Sequence, residues 1–311
     1  MIEADWIAVD WGTSRLRAWA MGPDEGPNSG PDGAVLAAAS SDDGMGKLSP
    51  DGFEPALLAL VGLWLAPGRV TQVVACGMVG ARQGWVEAAY LTAPCPPLDA
   101  ARMTLAPVRD PRLSVRIIPG VCQMKPADVM RGEETQIAGC LAADPAFDGV
   151  LCLPGTHTKW ARVSAGELVS FQTFMTGEMF ALLSEQSVLR HSMNQPGFDD
   201  GAFDAALSDA MAHPGRIAAQ LFTLRAESLL SGLGAAQARA RLSAWLIGIE
   251  LAAARPYWLG QQVAVIGASG LAATYARALA SQGASAHVLD GDAMTLGGIT
   301  AAATRLKDHH A

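Results

Sequence analysis

Apolar and polar positions along the chain follow two periods, and the places where one gives way to the other mark the elements. Residues 6–9 are a short apolar run, residues 10–14 a tight turn, and residues 15–21 alternate partly at period two, as in a half-buried strand. Residues 22–33 are rich in Gly, Pro, Asp and Asn and predict a loop. A helix is expected over about 51–65 and a strand over 70–76, ending in Gly77-Met78-Val79-Gly80. Residues 92–112 carry many prolines and read as irregular, with a short strand at 115–118 after them. A helix starts near Arg131-Gly132-Glu133 and runs to about 143; a buried strand at 149–153 ends in Pro154-Gly155-Thr156. Residues 174–250 are mostly helical in pattern. A strand at 263–266 leads through Gly267-Ala268-Ser269-Gly270 into a helix to about 282. A strand at 286–289 and a helix over about 294–306 finish the chain.

Strands followed by alternating strands and helices predict an α/β protein. Three apolar strands each end in a Gly-rich turn, at Gly12, Gly155 and Gly267, and open α/β sheets bind ligands at the carboxyl ends of their strands. An apolar strand running into Gly-Thr occurs twice, at Gly12-Thr13 and Gly155-Thr156, an internal echo that suits a duplicated, two-lobed fold. A length of 311 residues is enough for two domains.

Charge and cysteine content narrow the function classes. The net charge is −8 and there is no block of Lys or Arg, which argues against binding a nucleic-acid backbone. Mean hydropathy is slightly positive, at +0.22. The longest apolar run, about residues 56–66, nevertheless falls far short of the ~20 residues a membrane span needs. Residues 1–5 show no basic stretch ahead of an apolar one, so no export signal is expected. Five cysteines, an odd number without a C-x-x-C, suggest neither a disulfide frame nor a structural zinc site and predict a reducing, cytoplasmic compartment.

Four segments could carry chemistry. In Asp10-Trp11-Gly12-Thr13-Ser14, the carboxylate suits a hydrated Mg²⁺, and the Gly and hydroxyl residues suit phosphate oxygens; a plain hairpin turn is the competing reading. Pro154-Gly155-Thr156-His157-Thr158-Lys159-Trp160 offers the same choice. His157 and Lys159 invite catalytic roles, although a lone His beside a turn is more often a structural hydrogen-bonder. Gly267-Ala268-Ser269-Gly270 before a helix favours an anion or a nucleotide face. It lacks the last Gly of a nucleophile elbow and the spacing of a dinucleotide fingerprint, and the chain has no Walker A motif. In Met130-Arg131-Gly132-Glu133-Glu134, the two carboxylates either complement a helix dipole or include a general base, with Arg131 binding an acidic substrate.

Taken together and in this order, the motifs resemble the sugar kinase, Hsp70 and actin superfamily, and within it the 2-dehydro-3-deoxygalactonokinase family. The strings that carry the resemblance are Ile7-Ala8-Val9-Asp10-Trp11-Gly12-Thr13-Ser14 with Leu16-Arg17-Ala18-Trp19, Cys76-Gly77-Met78-Val79-Gly80 with Gly84-Trp85, and Val129-Met130-Arg131-Gly132-Glu133-Glu134-Thr135-Gln136. Leu153-Pro154-Gly155-Thr156-His157-Thr158-Lys159-Trp160 and Phe174-Met175-Thr176-Gly177-Glu178 complete them. The resemblance spans nearly the whole chain and is loose over 190–245.

The resemblance implies a two-lobed, actin-like ATPase fold of the ribonuclease H-like type, with the active site in the cleft between lobes that close over substrate. Residues 1–146 and 147–311 would be the lobes, the last helix packing back on the first. The implied reaction is phosphorylation of 2-dehydro-3-deoxy-D-galactonate at its 6-hydroxyl by ATP with Mg²⁺. Asp10 would orient Mg²⁺. Gly12, Thr13, Ser14, Gly155, Thr156 and Lys159 would hold phosphates, and Gly267, Ala268, Ser269 and Gly270 the adenosine side. Glu133 is the first choice of base, with Glu134 and Asp10 behind it. Arg131, then Arg17, would bind the substrate carboxylate, and Trp11, Met78, Gly80 and Trp85 would line the sugar pocket. The partners implied are a small sugar acid and ATP, with no nucleic acid and no membrane; a homo-oligomer stays open. A phosphohydrolase or a non-catalytic sugar-acid sensor of the same superfamily are the alternatives.

Overall fold

A computed structural model of the chain, described over residues 2–23 and 34–310, divides into two compact units. The first is Met1–Asp148 with Val163–Ser170 and Gly291–Ala311; the second is Gly149–Arg162 with Phe171–Asp290. The loop expected at 22–33 lies, over 24–33, outside the described residues.

The first unit opens with β1 (Trp6–Trp11), β2 (Leu16–Met21), β3 (Val35–Ser41) and α1 (Phe53–Val61). There follow β4 (Thr71–Gly77), β5 (Tyr90–Thr92), β6 (Thr104–Leu105), β7 (Leu113–Ile117), β8 (Gly120–Met124), β9 (Ala127–Met130) and α2 (Glu133–Ala143). Its main sheet has the order β3-β2-β1-β4-β7-β6. β1 is antiparallel to β2, and β2 to β3, whereas β1, β4 and β7 run parallel. A small sheet, β5-β8-β9, stands beside it.

The second unit carries β10 (Gly149–Leu153), most of β11 (Thr158–Ser164), the second half of β12 (Glu167–Phe174), α3 (Thr176–Ala181), α4 (Asp200–Ala212), α5 (Ile217–Leu230), α6 (Ala235–Ala253) and α7 (Arg255–Trp258). β13 (Val263–Gly267), α8 (Ser269–Ser281) and β14 (Ala286–Asp290) complete it. Its sheet is ordered β12-β11-β10-β13-β14, with β10, β13 and β14 parallel. Both sheets thus run third, second, first, then onward to two parallel strands, and in both the first strand passes into Gly-Thr. The echo in the sequence is a repeated topology. The last helix, α9 (Gly291–His310), belongs to the first unit.

Period two sorts the side chains of β1. Ile7, Val9 and Trp11 join the core under α1, which presents Phe53, Leu57 and Val61 at spacings of four. Trp6 and Ala8 face the other way, with Val74 and Cys76, toward Ala138 of α2 and Ile299, Ala302 and Leu306 of α9. α2 and α9 meet through glycines: a Cβ at Gly139 would overlap Met294 O, and one at Gly298 would overlap Thr135 O. In the second unit, Val150, Cys152, Val263 and Val265 pack with Leu207, Leu242, Trp245 and Tyr275 of the helices.

The expected elements are present with shifted ends. The helix expected at 51–65 is α1 with tight turns at Pro50–Gly52 and Gly62–Trp64, and the last helix is longer than expected. The edge strand β3 was not anticipated. Its Ala and Ser residues have little strand preference, and its pairing to β2 makes it a strand. No helix among the described residues is long and apolar enough to cross a membrane.

Candidate functional site

In the first unit the chemistry gathers where β1, β4 and α2 meet. Asp10 ends β1 on the face opposite Trp11. Its Oδ2 accepts from Arg17 Nε at 3.1 Å and Nη2 at 2.5 Å, across a directly paired position of β2. Arg17 Nη1 also donates to Asp292, in the first turn of α9. Burial pulls the Arg17 guanidinium toward its neutral form; Asp10 and Asp292 more than offset this, and its pKa is raised. Arg17 is therefore committed to two carboxylates. The Cys76 thiol lies 3.7 Å from Asp10 Oδ1, and burial, then Asp10 and Glu134, push its pKa well up.

Two glycines bring the backbones together here. Gly77 has φ +88°, and a Cβ would stand 2.7 Å from Trp11 O and 3.3 Å from Asp10 Oδ1. Gly132 has φ +108°, and its Cβ position is 3.4 Å from Gly77 Cα. Such backbone is glycine's territory.

The carboxylates that follow Gly132 diverge. Glu134 is fully buried. Both its oxygens accept from Gly132 N–H, at 2.9 and 2.7 Å, and Thr135 Oγ1 donates to it at 3.1 Å. Burial, then the Glu133 charge, push its pKa up to about 7. The expectation that Glu134 is a base is corrected: it closes the start of α2 and has no surface to offer a substrate. Glu133 is half-buried, and its Oε2 accepts from Arg131 N at 3.1 Å.

Arg131 stacks its guanidinium 4.3 Å from the Tyr90 ring centre and donates from Nη2 to Ala88 O at 2.9 Å. Its Nε and Nη1 are buried and have no hydrogen-bond partner among the described residues. Gly80 makes room for it, since a Cβ there would come 2.9 Å from Arg131 Nη1 and 2.8 Å from Ile117. Met78, half-buried, opens the tight turn Met78–Gly80.

Trp11 is corrected from a sugar-pocket residue to core, and Trp85 packs in the same core, the alternative to a pocket role for that side chain. Trp11 is 1% exposed and donates from Nε1 to Asp43 O at 2.8 Å. It packs on Phe53 (5.1 Å between ring centres) and Trp85 (6.1 Å), with Phe53 and Trp85 stacked. Alternation along β1 turns it away from Asp10.

Thr13 and Ser14 are exposed at the turn after β1. The carbonyls of Gly12 and Thr13 accept from Met45 N at 3.0 Å and Gly46 N at 2.9 Å, so residues 44–46 brace the turn.

In the second unit, Gly155 and Thr156 follow β10, and α3 starts against them. A Cβ at Gly177 would overlap Gly155 O, and Glu178 N donates to Thr156 O at 2.9 Å. His157 Nε2 and Glu178 Oε2 are 2.6 Å apart, the structural hydrogen bond weighed for this His. Gly155 and Thr156 line a cavity of about 350 Å³, whose walls include Thr176, Phe180, Ser243, Leu246, Leu271 and Tyr275. Apolar walls with a few hydroxyls and this volume suit a small organic ligand. Gly267 has its Cβ position 3.4 Å from Pro154 O, and Ala268, Ser269 and Gly270 are exposed at the start of α8; Leu271, one residue on, reaches the cavity wall. Lys159 is corrected in placement: it lies on β11, 4% exposed, with Nζ donating to His157 O at 3.4 Å. Thr176, Ser243 and Tyr275 come from three helices far apart in sequence, and no local spacing announced that they share a wall.

The repeated strand order in two units defines an α/β protein of the ribonuclease H-like, actin-like ATPase class. The sequence profile of the 2-keto-3-deoxy-galactonokinase family matches residues 10–302, and the chain belongs to that family. A Rhizobium meliloti (strain 1021) relative named as a probable 2-dehydro-3-deoxygalactonokinase is 39% identical over 305 residues, 96% of each chain. The 2-dehydro-3-deoxygalactonokinase of Escherichia coli (strain K12) is 32% identical over 301 residues, 96% of this chain and 97% of that one. A crystal structure of a Sinorhizobium meliloti protein, 39% identical, superimposes with a TM-score of 0.87 over 97% of this chain and 96% of that one.

Proposed function

We propose that the protein phosphorylates 2-dehydro-3-deoxy-D-galactonate on its 6-hydroxyl, with ATP as donor. The observation that carries the reading is Arg131. A guanidinium held by Tyr90 and Ala88, with Nε and Nη1 lacking protein partners, supplies a positive charge suited to the carboxylate of a sugar acid, and Glu133 stands two residues away.

In this reading the sugar acid's carboxylate meets Arg131, and Glu133 accepts the proton of the attacking hydroxyl. A bond forms from that oxygen to the γ-phosphorus as the bond from phosphorus to the β,γ-bridging oxygen breaks, giving ADP and the 6-phosphate. Such transfer depends on positioning and charge neutralisation. Gly12, Thr13 and Ser14 offer donors to phosphate oxygens, as do Gly155 and Thr156. The cavity of the second unit takes the nucleoside, with the turn at 267–270 leading to Leu271. Glu134 and Arg17 act as positioning residues, for the start of α2 and for Asp10. Asp10 fits a hydrated Mg²⁺: such an ion on nucleotide phosphates needs one or two carboxylates, and Arg17 occupies only Oδ2. When bound, Mg²⁺ neutralises phosphate charge.

The test is coupled ADP release with Mg-ATP and the galactonate-series acid, its C4 epimer, or no acceptor. Release with the galactonate epimer alone is expected. Equal turnover of both epimers removes the narrow substrate, release without acceptor makes the protein a phosphohydrolase, and binding without release makes it a sensor.

A further inference from the structure

Glu250 lies on α6, inside the second unit, and is 1% exposed. Its Oε1 accepts from Trp160 Nε1 at 2.8 Å, and its Oε2 from the Tyr275 hydroxyl at 2.8 Å and from the Thr176 hydroxyl. Thr176 and Tyr275 line the 350 Å³ cavity, and Glu250 stands behind them. An isolated buried carboxylate is costly, and donors arriving from β11, α3 and α8 offset that cost. A leucine would fill the same space without it. What the carboxylate adds is direction. Burial pushes its pKa up to about 7, and above that pH, where it is ionised, it has no hydrogen to give. The hydrogens of both hydroxyls therefore point at Glu250, and the Thr158 hydroxyl, 3.0 Å from Tyr275, is left to donate to the tyrosine. The Thr176 oxygen has only lone pairs left for the cavity.

We infer that Glu250 is a positioning residue for nucleotide binding, holding Thr176 and Tyr275 in place and making the Thr176 oxygen an acceptor for a donor group of the nucleoside. The inference rests on reading the cavity as the nucleotide site. It also sets apart two hydroxyls of that wall. Thr156, exposed on its turn, is available to donate to phosphate, whereas Thr176 has its one hydrogen committed elsewhere.

The test is steady-state kinetics of the full chain at about pH 8, where Glu250 is ionised, with MgATP and the sugar acid varied in turn. Glu250→Gln keeps size and shape but puts an amide donor where an acceptor stood. With its oxygen toward Trp160, its NH₂ faces the two hydroxyls and reverses them. Loss of one well-placed hydrogen bond gives an expected rise in KM for ATP of about tenfold, with kcat and the KM for the sugar acid changed less than twofold. Thr176→Val, which removes the hydroxyl and keeps the shape, should give the same pattern, and it carries the test alone should Glu250→Gln fail to fold. A wild-type ATP KM in a folded Glu250→Gln enzyme overturns the inference, as does a joint fall in kcat and rise in both KM values in the two variants. A wild-type protein that releases ADP equally with and without the sugar acid, or in neither case, overturns the functional reading itself, and the wild-type lane tells the two failures apart.

Discussion

The turns after β1 and β10 stand at matching places in two sheets of the same strand order, yet they hold opposite kinds of chemistry. Two residues before the first Gly-Thr stands Asp10; two before the second stands Leu153. Five residues after Gly12 comes Arg17, which answers Asp10; five after Gly155 comes Trp160, which answers a carboxylate from a distant helix. The first turn is ringed by charge: Asp10, Arg17, Asp292, Arg131 and Glu133. The second borders apolar walls and hydroxyls, with Glu250 buried behind them and Lys159 buried on β11. In the proposed reading, one backbone plan thus serves phosphate and a sugar acid in the first unit and a flat, weakly polar nucleoside in the second. The strand order fixes where a turn falls, and two or three side chains decide what it binds.

Substitutions on the two sides should separate these roles. The largest effect is expected from Glu133→Gln: loss of a general base lowers kcat by about 10³-fold, with both KM values little changed. Stopped or steady-state ADP release measures it, and a loss below tenfold would hand the base role to another group. Arg131→Met should lower kcat/KM for the sugar acid about 10²-fold while leaving the KM for ATP near wild type, because the charge that answers the carboxylate is lost. Equal damage to both substrates would show that Arg131 holds structure instead.

The two buried carboxylates give the next test. Glu134 and Glu250 both have pKa values pushed from 4.5 up to about 7, by burial first in each case. Between those values the folded chain keeps protons that the unfolded chain has released. Stability is then greatest below about pH 4.5 as far as these groups are concerned, falls as pH rises through about 7, and stays lower above it. Each contributes up to about 3 kcal/mol of this slope at 1.36 kcal/mol per pKa unit. Urea unfolding at pH 5.5 and 8 should show the difference, and Glu250→Gln should flatten it. A slope that survives in both Glu134→Gln and Glu250→Gln would place its source in other residues. The smallest effects come from Thr13→Ala and Thr156→Ala, each about fivefold in KM for ATP for one exposed hydrogen bond; equal losses would make the two turns alike toward phosphate.

How much of this was legible in the sequence depends on the range of the interaction. The three Gly-rich strand ends are local events, and residues 6–16, 149–156 and 263–271 read directly. The alternation of β1 also held the correction for Trp11, since a neighbour of Asp10 on a strand must face the other way. β3 was not legible, because its Ala and Ser residues gain strand conformation only from β2. Glu134 and Glu133 are neighbours of one chemistry, and only burial tells them apart. The cavity wall was dispersed over α3, α6 and α8, and Glu250, inside an apolar helix, signalled a buried charge without saying what it faced.

The placement of α9 has a consequence for how the protein is made. Ile299, Ala302, Ala303 and Leu306 complete the core behind β1 and β4, strands that are synthesised long before them. A nascent chain therefore carries an uncovered face of its first sheet until α9 is made, whereas every strand and helix of the second unit has been synthesised by Asp290. The twenty residues that seal the first unit, Gly291–His310, follow every strand of both sheets. Completion of the first unit thus waits on synthesis of the second, and a stop codon anywhere in α9 would leave the first unit's core open.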